Sequence, residues 1–189
     1  MPDHDSLYQI AEQQAGYFTA TQARQAGFSP SLLSYHVGTG RFERVRPRVY
    51  RIVQFPSSRY EDLYVAWLQA GAHAVISHDS ALALYGLSDL LPHRIHVTVP
   101  RTSSRRRPEL QLHTKRLEPE DVTRYEGLPV TTVPRTLVDV TAAGLADEQV
   151  RQAIQEALRR GLVARESLLQ LSASRGGRIK RLVDEVLHE

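Results

Sequence analysis

The chain has 189 residues, of which 41% are hydrophobic and 24% charged, a composition typical of a soluble globular protein and too apolar for a disordered one. It contains no cysteine, which excludes disulfides, thiolate zinc sites and cysteine nucleophiles. No apolar run reaches the roughly 18 residues that a membrane span needs, and the N-terminus lacks a signal-peptide pattern. We therefore expect a cytoplasmic protein.

The basic residues are nearly all arginines. The formal net charge is only +3, but all of the 24 basic residues except Lys115 and Lys180 are arginines. Because arginine forms bidentate hydrogen bonds with phosphate and guanine, a dense arginine cluster favours a nucleic-acid partner more than scattered charge does.

The first 53 residues show the pattern helix, helix, helix, hairpin. The first predicted helix has Asp5 and Ser6 as potential caps and ends at Gly16. Thr19 can cap a short second helix. Ser29-Pro30 marks the start of a third helix, since proline is favoured at the first helical position. This order predicts a winged helix-turn-helix.

The third predicted helix has one apolar and one polar face. Leu33 and Val37 share the apolar face. Hydroxyl side chains on the other face suit a major groove, where they can reach phosphates or base edges. The alternative is an amphipathic helix whose polar face meets only water. The candidate DNA-reading residues are Ser31, Ser34 and Tyr35.

Residues 41–52, RFERVRPRVYRI, contain five arginines and one acid, Glu43. Alternating apolar residues predict a hairpin with Arg46-Pro47-Arg48 at its tip. Positive charge on an edge strand also occurs as a protection against aggregation, which is the alternative interpretation. DNA is favoured because the arginines cluster beside the predicted recognition helix and each phosphate neutralised adds affinity. The candidate wing residues are Arg41, Arg44, Arg46 and Arg48.

The segment QFPSS after the hairpin is typical of a linker, so we predict domains at residues 1–54 and 58–189. In the second domain, Ser77 can cap a helix, and two strands at residues 94–99 and 110–115 are predicted to form a hairpin. A further short strand is predicted within 125–133, and helices follow at 133–140, 147–163, 165–171 and 179–187. The whole chain is predicted to be α+β, a winged helix followed by a mixed α/β domain.

The loop between the two strands of the predicted hairpin is strongly basic. Its arginines could meet a partner protein, DNA or only water. The candidate partner-binding residues are Arg101, Arg105, Arg106 and Arg107.

The residues show little evidence of catalytic chemistry. Ser77, His78 and Asp79 are consecutive, and adjacent side chains cannot converge as nucleophile, base and orienting acid. None of the eight histidines has a zinc-binding spacing, and His96 is expected to face solvent because it shares strand parity with Arg94. We therefore predict no enzymatic activity, no metal and no cofactor.

Arg135 and Asp139 are four residues apart on one predicted helix. We expect them to form a structural ion pair along the helix surface. Such a pair contributes only about 0.2–0.5 kcal/mol.

Two groups of motifs resemble a known family. GYFTATQARQAGFSPSLLSYHVGTGRFERVRPRVYRI resembles the N-terminal winged helix of the AbiEi-type antitoxins of type IV toxin–antitoxin systems. VISHDSALALYGL followed by HRIHVTVPR, EPEDV and LPVTTVPRTLVDV resembles the domain that follows it in that family. The resemblance covers roughly residues 5–170. Many relatives have glycine where Arg48 stands.

The resemblance implies an antitoxin that binds double-stranded operator DNA, represses its own operon and counteracts a nucleotidyltransferase-like toxin. Some related proteins continue into a nuclease-like domain after a segment like SRGGRIKRLVDEVL, and we expect this chain to lack that domain. Two alternatives remain open: a protein-interaction module whose winged helix serves as a docking surface, and an orphan transcriptional regulator without a toxin.

Overall fold

The structure is a computed structural model that describes residues 1–89, 92–101 and 107–188. The chain forms two compact units, Met1–Ala74 with Tyr125–Leu128, and Val75–Arg124 with Pro129–Glu189. The domain boundary expected at residues 54–58 stays a prediction.

The N-terminal unit has the predicted order of three helices followed by a hairpin, so the winged-helix prediction is confirmed. The elements are α1 (His4–Glu12), β1 (Tyr17–Thr19), α2 (Ala20–Gln25), α3 (Pro30–Gly38), β2 (Phe42–Arg46), β3 (Val49–Ile52) and α4 (Glu61–Ala70). The strand β1 adds to the hairpin as a third strand, with the order β1-β3-β2 and antiparallel pairing throughout.

Side-chain caps fix where the first three helices begin. Thr19 forms a capping box with Gln22, and the Ser29 hydroxyl accepts the backbone N–H of Leu32 at 3.2 Å, as predicted. The cap of α1 is instead Asp3, which accepts the backbone N–H of Ser6 at 2.9 Å. Because the capping residue directly precedes the helix, α1 begins at His4, earlier than caps at Asp5 or Ser6 would allow.

The core of the N-terminal unit is aromatic and aliphatic. Phe18 and Phe42 meet edge to face, with ring centroids 5.0 Å apart. This core joins the three helices to the hairpin and thereby holds α3 beside the wing. Its buried members are Leu7, Ala11, Phe18, Ala23, Ala26, Phe28, Leu33 and Phe42.

The C-terminal unit is built on a five-stranded sheet. The elements are β4 (Val75–Ile76), α5 (His78–Leu84), β5 (Ile95–Thr98), β6 (Leu110–His113), a 3₁₀ turn (Pro119–Asp121), β7 (Val122–Tyr125), β8 (Leu128–Thr131), α6 (Val133–Ala143), α7 (Asp147–Arg159), α8 (Arg165–Arg175) and α9 (Gly177–His188). The strand order is β6-β5-β4-β8-β7. The central strand β4 has only two residues, too few to show an alternating pattern, and was not predicted.

Two strand predictions are wrong. The strands β5 and β6 pair in parallel, with Ile95 opposite Leu110 and Thr98 opposite His113, so they form no hairpin. Parallel neighbours are joined by a crossover connection and antiparallel neighbours can be joined by a hairpin loop. The alternation of apolar residues within each strand is the same in both cases, so it does not reveal the direction of pairing. The single strand expected within 125–133 is two strands, β7 and β8, separated by a turn at Glu126 and Gly127, both of which have positive φ.

The described part of the C-terminal unit contains five α-helices, α5 to α9, of which α6, α8 and α9 extend beyond their predicted ends. Within 1–89, 92–101 and 107–188, no helix has the length and hydropathy that crossing a membrane requires.

Candidate functional site

The outward face of α3 carries the predicted hydroxyl side chains. Ser31, Ser34 and Tyr35 are exposed, and Tyr35 is 62% accessible to solvent. Leu33 and His36 lie on the opposite side in the core. The helical periodicity thus assigned the faces correctly, and contact of the three side chains with DNA stays a prediction.

All four candidate arginines of the wing are exposed. Among the described residues, none of them forms an ion pair with an acid. The fifth arginine of this segment, Arg51, differs: it donates to the Phe55 carbonyl at 2.7 Å and lies 5.9 Å from the Tyr17 ring centroid. The uncompensated wing residues are Arg41, Arg44, Arg46 and Arg48.

Several arginines of the C-terminal helices are, by contrast, paired with acids. Arg151 lies 2.8 Å from Glu148, Arg159 lies 2.7 Å from Glu156, and Arg181 lies 2.6 Å from Asp147. The wing is therefore a concentration of positive charge that no acid in the described part of the chain offsets. Such a surface attracts a polyanion and releases counterions from it.

Arg48 occupies an unusual backbone conformation at the tip of the wing. Its φ is +66°, in the left-handed region that costs a non-glycine residue free energy. Its carbonyl accepts the backbone N–H of Ala20 at 2.9 Å, which ties the tip to the start of α2. A glycine would adopt this conformation without strain.

His36 is a buried polar residue on the core face of α3. Both of its ring nitrogens lack hydrogen-bond partners among the described residues. The ring lies among His4, Phe28 and Phe42, with centroid separations of 5.5, 5.9 and 5.0 Å. Burial lowers the pKa of His36, and positive charge at Arg41 and His4 lowers it further.

The predicted partner-binding arginines cannot lie at a hairpin tip, because β5 and β6 are parallel. Arg101 is exposed and Arg107 half-buried, whereas Arg105 and Arg106 lie outside the described residues. Contact of these four residues with a partner stays a prediction.

A polar cluster that sequence reasoning missed lies between α5 and β5. His96 was expected to face solvent, but only 16% of its side chain is exposed, so that prediction is wrong. The helix α5 covers this face: Ser80 accepts the backbone N–H of His96 at 2.8 Å, and Thr98 donates to Ser77 at 2.8 Å. Strand parity identifies a face but does not show what packs against it.

Three histidines meet in this cluster. The His78 and His113 rings stack with centroids 3.4 Å apart, and Nε2 of His113 lies 3.4 Å from Nδ1 of His96. Burial, with the positive potential of neighbouring groups, lowers the pKa of His78 to about 3 and that of His113 to about 4. These two imidazoles are therefore neutral at physiological pH.

The Ser77-His78-Asp79 segment does not form a catalytic triad. The Ser77 hydroxyl lies 3.0 Å from Nδ1 of His78, but it is fully buried and so closed to a substrate. Asp79 instead approaches the neighbouring strand, with Oδ2 3.8 Å from Nε2 of His96. The cap expected from Ser77 is also absent, because its hydroxyl contacts His78 and Thr98 and forms no capping hydrogen bond.

Matches to known proteins cover both units. Residues 5–53 match the family described as "Transcriptional regulator, AbiEi antitoxin", and residues 72–188 match "AbiEi antitoxin C-terminal domain". The crystal structure of the RV2827C protein from Mycobacterium tuberculosis is similar over 94% of this chain and 74% of that chain, with a TM-score of 0.54 and 16% sequence identity. That similarity concerns the fold alone. No curated protein sequence matches the chain.

Proposed function

Because the chain belongs to the AbiEi antitoxin family, we propose that it binds operator DNA in the cytoplasm, represses its own operon and counteracts a nucleotidyltransferase-like toxin. The observation that carries the DNA-binding part is the exposed polar face of α3 beside four exposed arginines, none of which pairs with an acid of the described residues. The C-terminal unit would act on the toxin by binding it, without an enzymatic activity of its own.

The helix α3 and the wing would have different roles in DNA binding. The helix α3 would enter the major groove, where Ser31, Ser34 and Tyr35 reach base edges and phosphates. The wing arginines would contact the phosphate backbone, which adds affinity for any sequence and makes binding salt-dependent. Affinity would then come mainly from the wing and sequence choice mainly from α3.

The direct test is a titration of the purified chain with its own upstream DNA and with scrambled DNA across a range of salt concentrations. Four phosphate contacts correspond to a slope of log K against log salt of about −3.6. We expect tighter binding to the upstream DNA and a slope of about this size. Weak, salt-insensitive and equal binding to both DNAs would favour a protein-interaction module instead.

The toxin part needs a separate test. The product of the adjacent reading frame is expressed with and without this chain, and growth is measured. Rescue of growth by the chain supports the antitoxin role, whereas a harmless neighbouring product indicates an orphan regulator.

A further inference from the structure

We propose that His96 and His113 form an open binding site for a divalent transition-metal ion such as Zn²⁺, in contrast with the expectation of no metal. The two residues lie on adjacent parallel strands, with His113 opposite Thr98 and His96 two residues earlier on the same face of β5. Their side chains converge so that Nδ1 of His96 and Nε2 of His113 are 3.4 Å apart.

This separation suits a shared metal better than a hydrogen bond. A hydrogen bond from a ring N–H is usually about 2.7–3.2 Å long, shorter than the 3.4 Å observed here. A tetrahedral Zn²⁺ with Zn–N bonds of about 2.0–2.1 Å holds two histidine nitrogens about 3.3 Å apart. When neither Nδ1 of His96 nor Nε2 of His113 carries a proton, their lone pairs repel each other. A metal ion between the two nitrogens would remove this repulsion by accepting both lone pairs.

Each of the two rings has a neighbouring group that can orient it. Asp79 Oδ2 lies 3.8 Å from Nε2 of His96, the nitrogen that does not face His113. A carboxylate behind a metal-binding histidine is a common outer-shell partner that orients the ring and raises its basicity. The other ring is fixed by its stacking on His78, with an interplanar angle of 10°.

The site would be open because, in the described part of the chain, no third histidine, cysteine, aspartate or glutamate is placed to hold the same ion, and His78 contacts the face of the His113 ring. The protein would supply two nitrogens, and water would fill the other positions. Asp79, His96 and Gln111 line a neighbouring cavity of about 410 Å³, through which water can reach the His96 ring. Imidazole ligands favour Zn²⁺, Cu²⁺ or Ni²⁺ over Mg²⁺ or Ca²⁺.

The experiment is a calorimetric titration of the chelator-treated full chain with Zn²⁺, together with the visible absorption of the Co²⁺ form. We expect one ion per chain and a Co²⁺ spectrum of tetrahedral type. His96→Gln should weaken binding at least tenfold while leaving the His78–His113 stack intact. Asp79→Asn should weaken it by about tenfold, as outer-shell changes commonly do.

His93→Ala is the matched control, because His93 lines the same cavity but lies outside the pair. It should bind Zn²⁺ like the unchanged chain. Circular dichroism and thermal denaturation verify that each variant is folded. Absence of Zn²⁺ binding in the unchanged chain, or equal affinity in the double variant His96→Gln, His113→Gln, would overturn the proposal. The outcome is independent of whether the chain represses an operon.

Discussion

Arg135 and Asp139 form a buried ion pair, with Nε of Arg135 donating to Oδ2 of Asp139 at 3.0 Å and only 7% and 1% of the side chains exposed. The surface position expected from their spacing is therefore wrong. Arg135 also contacts Asp121 and donates to the Arg116 carbonyl at 3.1 Å. Burial raises the pKa of Asp139, while Arg135 and Lys115 oppose that shift.

Arg135→Ala should lower the free energy of unfolding by about 3–5 kcal/mol, because it removes the closest cation from a buried carboxylate and leaves only the more distant Lys115, at 3.7 Å. Urea denaturation followed by circular dichroism measures the change. The control is Arg159→Ala, which removes an ion pair at a site where Arg159 is 73% exposed. A loss as small as that of the control would show that the buried pair is not important for stability.

Arg46→Ala combined with Arg48→Ala should weaken binding to all DNA sequences alike and flatten the salt slope by about 2. The cause is the loss of two charges that no acid of the described residues offsets. Fluorescence anisotropy across salt concentrations gives both quantities. Arg159→Ala combined with Arg175→Ala removes the same charge from exposed helical positions and should leave the slope unchanged. If both double variants lost affinity equally, net charge rather than the wing would drive binding.

Tyr35→Ala should reduce the discrimination between operator and scrambled DNA, by about 1–3 kcal/mol if the side chain makes one good base contact. Its salt slope should stay close to that of the unchanged chain, since no charge is removed. Tyr8→Ala is the matched control, because Tyr8 is a 49% exposed tyrosine on α1. Equal losses on both DNAs would assign Tyr35 to backbone contact instead.

His36 should make stability fall in mild acid. Its pKa is lowered in the folded state, so the unfolded chain binds the proton more tightly. The stability that comes from keeping His36 neutral is therefore fully present above about pH 6.5, the ordinary histidine pKa. This contribution is lost as the pH falls below that value. His36→Leu should reduce the difference in unfolding free energy between pH 7.5 and 5.5. An unchanged difference would place the acid sensitivity at other groups.

Arg48→Gly should stabilise the fold by about 0.5–1 kcal/mol, because it relieves a left-handed conformation that costs arginine more than glycine. The same change should weaken DNA binding, since it removes a wing charge. Arg46→Gly is the control: it removes the same charge at a residue of β2 without positive φ and should destabilise the hairpin. Thermal denaturation of the two variants distinguishes these effects.

Most of the winged helix could be predicted from the sequence, because the residues that specify its elements are close together along the chain. Thr19 and Ser29 cap helices through residues three positions away, and the apolar period of α3 separates its two faces without reference to other elements. The hairpin could be predicted from two neighbouring segments of alternating apolar and polar residues joined by a short turn. The same signals identified the exposed residues of the candidate DNA interface.

The C-terminal unit depended on contacts between distant segments. Alternation at residues 94–99 and 110–115 predicted strands correctly but gave no direction, and β4 was too short to show a pattern. Likewise, helical spacing paired Arg135 with Asp139, but only the packing around them decided that the pair is buried. His96 and His113 are 17 positions apart, and only the parallel pairing of β5 and β6 brings their ring nitrogens together. The sequence by itself determined local elements and their faces, whereas tertiary structure decided which faces are covered, because burial depends on segments far along the chain.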